Sequence, residues 1–448
     1  MNLPQSISND LTKLGIDAVA LEQAHNTPAL TSIRYNTNKV ASPTITNPIG
    51  WCAQGNYLAE RPFFAHDPLW HAGAYYVQEA SSMLVGWALQ QLNSNNDSLV
   101  VLDACAAPGG KSTHLLSVLN DNSLLVSNEV IKTRVSVLIE NTSKWGHSNH
   151  VITNNDTSHF TSLTNTFDVL VIDAPCSGSG LFRKDALAVN EWSDDNVNLC
   201  NQRQQRILHD LLPSLKPNGI IIYSTCSYST AENETIADEI IGMGCRSIAL
   251  AIDTSWGVTA TQSSTHQAHG YRCMPHLTKG EGFYMACFRK NDEAYTEVIN
   301  YKHKGKQVFE TVDKKTTALL NNYTADVTSI FNYNKSLQQF PMQHLSLLHK
   351  LTTQLYIKKA GLCIGEFVGN DLLPHHEWAM SIIPPTTFAT ADLDLETALI
   401  YLRKNNFTLP NASKGWVLLT YQSIALGWVK NLGNRLNNYY PTNYRLLK

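Results

Sequence analysis

Between residues 98 and 226 the chain alternates two kinds of pattern. Five runs are apolar without polar alternation: SLVVLDA (98–104), LLVSNE (124–129), HVITNND (150–156), FDVLVIDAP (167–175) and GIIIYSTC (219–226). Helix-competent segments lie between them, for instance at 112–119, 132–144 and 202–215. A strand without polar alternation is buried on both faces, and such strands separated by helices predict a parallel sheet covered on both sides. Ligands of these sheets sit beyond the carboxyl ends of the strands. Asp103, Glu129, Asp156, Asp173, Cys176 and Cys226 all fall at those ends.

The pattern is different on either side. Residues 1–95 mix short helical patterns with strand-like pieces such as 32–36, and after Arg289 the apolar runs thin out. The stretch 290–307 reads as a charged connector, partly helical, and strand-like pieces return at 415–421 and 424–429. No internal repeat is evident. A chain of 448 residues is too long for one ordinary core. The expected division is 1–95, 96–290, 291–371 and 372–448.

Composition narrows the class. No apolar stretch approaches the roughly 20 residues of a membrane span, and the N-terminus lacks a basic start followed by an apolar run. Nine cysteines are scattered without a CxxC pair or a His/Cys cluster at zinc spacing. That usage fits reduced thiols in a cytoplasm and no structural metal. The formal net charge of −3 argues mildly against a nucleic-acid partner. Its distribution argues the other way: from Tyr401 to the end there is no Asp or Glu, while Arg403, Lys404, Lys414, Lys430, Arg435, Arg445 and Lys448 are basic. A basic tail on an acidic-leaning body suits local docking of a polyanion.

The candidate chemistry begins in DACAAPGGKST (103–113), which leaves a strand, turns through Pro108-Gly109-Gly110 and enters a helix. Paired glycines allow close backbone approach and leave amides at a helix N-terminus. As a phosphate loop, GxxxxGK[ST], the string ends correctly at Gly110-Lys111-Ser112 but begins with Cys105, where the tight turn needs glycine. That match would make the chain a nucleotidase. As a nucleoside loop it gains support downstream: Glu129 ends the next strand, where a doubly wound fold places an acid on the ribose, and Asp156 is placed to receive the adenine.

DAPCSGSG (173–180) and STCSY (224–228) each present a cysteine just past a strand. A thiolate adding to carbon 6 of cytosine turns carbon 5 into an enamine-like nucleophile able to take a methyl group. A base then removes the carbon 5 proton and the thiol leaves. Asp173 is placed to act as the acid near ring nitrogen 3. Attack on the ring face requires an unstacked base. The residues alone do not choose between Cys176 and Cys226 as the nucleophile.

DACAAPGGK, DAPCSGSGLFRKD, STCSYS with AENE (231–234), and PHLTKGEGF (275–283) resemble, in this order, the Sun-type (Nol/Nop/Sun) RNA cytosine-5 methyltransferases. SIRYNTNK (32–39) and YYVQEASSM (75–83) extend the resemblance upstream. LLPHHEWAMS (372–381) and GWVLLTYQSIALGW (415–428) look like the tails of bacterial RsmF-type members, which act on 16S ribosomal RNA. The resemblance implies a Rossmann-like α/β methyltransferase domain, doubly wound, between a small α+β RNA-binding N-terminal domain and a PUA-like, β-rich, RNA-binding C-terminal domain. It implies S-adenosyl-L-methionine as cofactor, bound by Cys105, Ala106, Ala107, Pro108, Gly109, Gly110, Lys111, Glu129, Asp156 and Asp173. It makes Cys226 the nucleophile and Cys176 the residue that helps release the product, with Asp173 serving both ligands. The expected partner is 16S rRNA or the small ribosomal subunit, for a cytoplasmic monomer with no membrane contact. Transfer RNA with the same chemistry is the alternative substrate, and a catalytically inactive RNA-binding ribosome assembly factor is the alternative class. Arg183, Lys184, Arg272 and His276 are secondary candidates for RNA or active-site contacts. His66 and His71 are expected to be structural, and the remaining six cysteines to be packing residues.

Overall fold

The computed structural model describes residues 3–292 and 309–447, apart from Ala325, Asn334 and Asn411. Most of the connector expected at 290–307 lies outside the described residues.

The N-terminal part begins with helices Gln5–Lys13 and Ala18–Ala24 and continues as an antiparallel sheet of β1 (Thr31–Tyr35), β2 (Pro48–Ile49), β3 (Cys52–Leu58) and β4 (Tyr75–Val77), in the order β2-β3-β1-β4. The polar residues of SIRYNTNK turn inward. Arg34 is fully buried and donates to Gln78 Oε1 (2.9 Å), Thr113 Oγ1 (2.7 Å) and Ser117 Oγ (3.2 Å), with its guanidinium over the Trp145 ring. Asn36 Nδ2 donates to the carbonyls of Gly73 and Trp145, and Lys39 Nζ to those of Ala72 and Lys144. A buried cation persists only where its donors are satisfied, so these bonds fix the N-terminal part to the central helices.

The central sheet is built from β5 (Val100–Asp103), β6 (Leu124–Asn128), β7 (His150–Thr153), β8 (Phe167–Asp173) and β9 (Leu215–Thr225), parallel in the order β9-β8-β5-β6-β7. All five predicted runs are strands. Burial on both faces is explicit in the packing. Leu102, Val126, Leu170 and Ile172 join one apolar cluster, while Val101, Leu125, Val169 and Val171 join the other. β5 neighbours both β6 and β8, so the strand order reverses there and opens a crevice at the carboxyl ends. The helices Gly110–Val118 and Lys132–Trp145 fall where the sequence puts them. The third predicted helix is longer at its start, Asp194–Leu211, because Ser193 caps it by accepting from Asn196 N. It stops short of residue 215, where β9 begins.

The sheet is not wholly parallel. Beyond β9 it continues through β10 (Cys245–Ile248), β11 (Thr259–Gln262), β12 (His269–Cys273) and β13 (Phe283–Lys290), all antiparallel. β14 (Glu310–Thr311), β15 (Ile330–Tyr333) and β16 (Ser336–Gln339) start a separate sheet. β17 (Ile357–Ala360) instead pairs antiparallel with β7 and covers that edge of the central sheet. β18 (Leu362–Val368) and β19 (Asp371–Pro374) then complete the separate sheet. The expected break between residues 371 and 372 falls inside β19, because its hairpin pairing with β18 carries the chain across that point. The C-terminal part is a sheet of β20 (Ala389–Leu393), β21 (Gly415–Tyr421), β22 (Ile424–Asn431) and β23 (Leu436–Asn438) around the buried Trp428, Tyr401 and Tyr440. No helix among the described residues is long and apolar enough to cross a membrane.

Candidate active site

The loop after β5 passes over the carboxyl edge of the sheet. Gly109 caps the following helix with φ +112°, a conformation that glycine adopts without the steric cost a side chain brings. Beneath it Asp103 is fully buried and accepts from Ser112 Oγ (2.6 Å), and burial pushes its carboxyl up to about 7. Cys105, Ala106, Ala107, Pro108, Gly110 and Lys111 form one wall of a cavity of about 270 Å3. Asp173, Leu181 and Cys226 line it too, with Tyr76, Gln78, Glu79, Glu281 and Phe283.

Lys111 is largely buried, and its Nζ donates to Asp173 Oδ2 at 2.7 Å while lying over the Phe283 ring. Burial works against its charge, but the Asp173 carboxylate more than offsets this and holds its pKa above the ordinary lysine value. A lysine committed to an acid inside the cavity is not free to clamp a phosphate chain, which disfavours the nucleotidase reading. Asp173 Oδ1 accepts from Ser224 Oγ (2.8 Å), so the carboxylate is held at both oxygens across β8 and β9.

The two expected thiols meet. Cys176 Sγ and Cys226 Sγ lie 3.1 Å apart, and Cys226 lines the cavity whereas Cys176 does not. The Cys226 contact, burial and the charge of Glu232 all push the Cys176 thiol well above its usual range, which keeps it protonated. Their loops are tied by Glu232, a fully buried carboxylate that accepts from Ser177 N (2.7 Å), Ser177 Oγ (2.6 Å) and Ser227 Oγ (2.5 Å). Gly180 completes the tie: its N–H donates to Cys226 O at 2.8 Å, and a Cβ there would stand 2.7 Å from that oxygen and 2.4 Å from Gly282 O.

Other expected residues lie outside the cavity. Glu129 accepts from Ile131 N (2.8 Å) and faces Arg134 (3.5 Å), whose guanidinium also donates to Ala107 O. Asp156 caps the turn at Thr157–Phe160 and pairs with Arg206 at 3.3 Å. Neither lines the cavity. Two secondary candidates are buried in ion pairs: Arg183 with Glu281, which lines the cavity, and Arg272 with Glu234. His276 has an unpartnered ring nitrogen and lines neither the cavity nor its neighbour. Lys184 is exposed and borders a second cavity. His71 is buried with both ring nitrogens engaged, by Ala65 O and Tyr440 Oη, while His66 is exposed against Phe63. Cys52, Cys200, Cys245, Cys273 and Cys287 are buried and Cys363 is half-buried. Gln78, Glu79, Ser224, Glu232 and Glu281 carry roles in the site that the sequence reading did not assign. The signal was present for most of them in YYVQEASSM, AENE and GEGF, which were recognised as motifs without functions.

Three family models match consecutive parts of the chain: the N-terminal domain of 16S rRNA methyltransferase RsmF at residues 3–80, 16S rRNA methyltransferase RsmB/F at 89–289, and the methyltransferase RsmF PUA domain at 388–446. Ribosomal RNA small subunit methyltransferase F of Psychromonas ingrahamii is 30% identical, over 98% of this chain and 96% of that protein. The chain belongs to the RsmB/F family of 16S rRNA methyltransferases. The enzyme of the same description from Shewanella piezotolerans is 28% identical over 92% of this chain and 90% of its own length. A crystal structure of a methyltransferase homologue from Pyrococcus horikoshii is 26% identical with a TM-score of 0.52, covering 64% of this methyltransferase and all of that chain.

Proposed function

We propose that this methyltransferase transfers a methyl group from S-adenosyl-L-methionine to carbon 5 of a cytosine in 16S rRNA, with Cys226 as the covalent nucleophile. The observation that carries the reading is that Cys226, not Cys176, lines the cavity shared with the 105–111 loop, Lys111 and Asp173. The wall suits the cofactor: Ala106 and Ala107 pack with Val135, Leu138 and Ile152 into an apolar backing for an adenosine. Glu129 and Asp156 take the ribose and adenine ends, exchanging contacts with the half-exposed Arg134 and Arg206 for contacts with the nucleoside. S-adenosyl-L-methionine supplies the electrophilic methyl.

The chain's residues supply the rest. As the Cys226 sulfur adds to carbon 6 and breaks the 5,6 double bond, its thiol proton passes by way of the Asp173 carboxylate, held by Ser224 and Lys111, to ring nitrogen 3. The electron pair released at carbon 5 takes up the methyl. A water beside the Cys176 thiol then takes the carbon 5 proton, that electron pair restores the double bond as the Cys226 sulfur leaves, and ring nitrogen 3 returns its proton through Asp173 to that sulfur.

The test is a denaturing gel of wild type, Cys226→Ala and Cys176→Ala, each incubated with 16S rRNA and methyl-labelled cofactor. A labelled protein–RNA band from Cys176→Ala alone supports the assignment, because addition and transfer proceed while elimination stalls. The same band from Cys226→Ala alone reverses the two roles.

A further inference from the structure

A second cavity, of about 320 Å3, adjoins the first and shares Val77, Gln78 and Glu79 with it. Its remaining wall is Ala29, Leu30, Thr31 and Ser32 with two cations, Arg61 and Lys184. Neither cation takes part in an ion pair among the described residues. This contrasts with Arg183, which is committed to Glu281. Arg61 lies over the Phe64 ring, and two residues further on Phe63 is 68% exposed. Phe63 is not on the cavity wall itself and has His66 against its ring, but it follows Arg61 by two residues. Unpaired cations with an exposed aromatic ring close to them in the chain are the combination that holds single-stranded nucleic acid, the cations taking phosphate and the ring stacking a base. Glu79 is the one acid on the wall. Its oxygens are occupied by Glu281 N (2.9 Å) and Ser82 N (3.1 Å), and burial pushes its carboxyl up.

We propose that this second cavity seats the phosphodiester beside the target cytidine, gripped by Arg61 and Lys184, with the neighbouring base stacked on Phe63. The proposal rests on the RNA-methyltransferase reading of the first cavity. Once a base is out of its stack and in reach of Cys226, its sugar–phosphate must leave the first cavity somewhere. The shared wall at residues 77–79 opens onto the only flanking space among the cavities described that holds unpaired cations and touches the first.

The test uses the full chain carrying Arg61→Gln, Lys184→Gln, both together, or Phe63→Ala. Two quantities are read: KM for a 16S rRNA transcript, and the salt dependence of binding to a labelled single-stranded RNA of about twelve nucleotides, a length within the ordinary site sizes of such grooves. Each cation variant is expected to raise KM and to reduce the slope of log affinity against log salt by about 0.7, the value for one phosphate contact on a single strand. Phe63→Ala is expected to weaken binding by about fivefold or more with the slope intact. A double variant with unchanged KM and slope overturns the proposal even while the wild type methylates RNA. If the wild type methylates nothing, the reading of the first cavity falls, and the oligonucleotide slopes still decide the second.

Discussion

Glu232 touches neither ligand cavity, yet its removal should reach the chemistry. Its carboxylate holds the backbone N–H and hydroxyl of Ser177, next to Cys176, and the hydroxyl of Ser227, next to Cys226. Bonds to a charged acceptor contribute about 1.5–3 kcal/mol each, and a buried donor left unpaired costs about 1–3 kcal/mol. Glu232→Ala strands one backbone donor and two hydroxyls, of which the hydroxyls can rotate toward each other across 3.3 Å. The expected loss is therefore about 3–5 kcal/mol, and that variant tests mainly stability. Glu232→Gln is the informative one. Its carbonyl can keep the Ser177 N–H while its amide donates to the two hydroxyls, which then act as acceptors, so only the charge is lost, about 1–2 kcal/mol. If that energy serves to hold the two thiols in register, kcat falls about tenfold for each ~1.4 kcal/mol, with KM for RNA unchanged. Single-turnover methylation combined with thermal melting reads both. A Glu232→Gln enzyme with wild-type kcat, or with a raised KM alone, would refute the positioning argument.

The 3.1 Å separation of the Cys176 and Cys226 sulfurs is about 1 Å longer than a disulfide. Diamide should therefore link these two residues and abolish methylation until dithiothreitol is added; peptide mapping that finds both thiols still free to alkylate would contradict this. Stability should fall on acidification. Burial lowers His25, His71 and His147 to about 4 and His150 and His376 to about 3. Their unfolded forms bind protons below about 6.5, so stability is lost as pH falls from there toward 4. Asp103, raised to about 7, and Glu79, also raised by burial, work in the opposite direction but are two groups against five. A urea midpoint at pH 5 equal to or above that at pH 7.5 would count against this balance.

The doubly wound centre was legible because its strands are uninterrupted apolar runs, a signal that depends on local composition alone. The antiparallel strands after residue 226 were less so: FYMACF in β13 reads equally well as a parallel or an antiparallel strand, and only pairing decides. The cofactor loop and both cysteines were legible from motifs. The fates of Arg183 and Arg272 were not, because a cation's partner across 98 or 38 residues of sequence is a tertiary fact. Glu129 and Asp156 show the same limit: strand-end position fixed their neighbourhood, while Arg134 and Arg206 fixed what their carboxylates face.

The strand Ile357–Ala360, laid along His150–Thr153, gives the catalytic core a covering it cannot make from its own segment. β7 is buried along its whole length, and its outer row of peptide groups is satisfied by chain made some 200 residues later. Until that later stretch leaves the ribosome, the nascent core carries a bare edge of the kind that recruits other strands. An excised core ending near residue 290 would keep that edge bare.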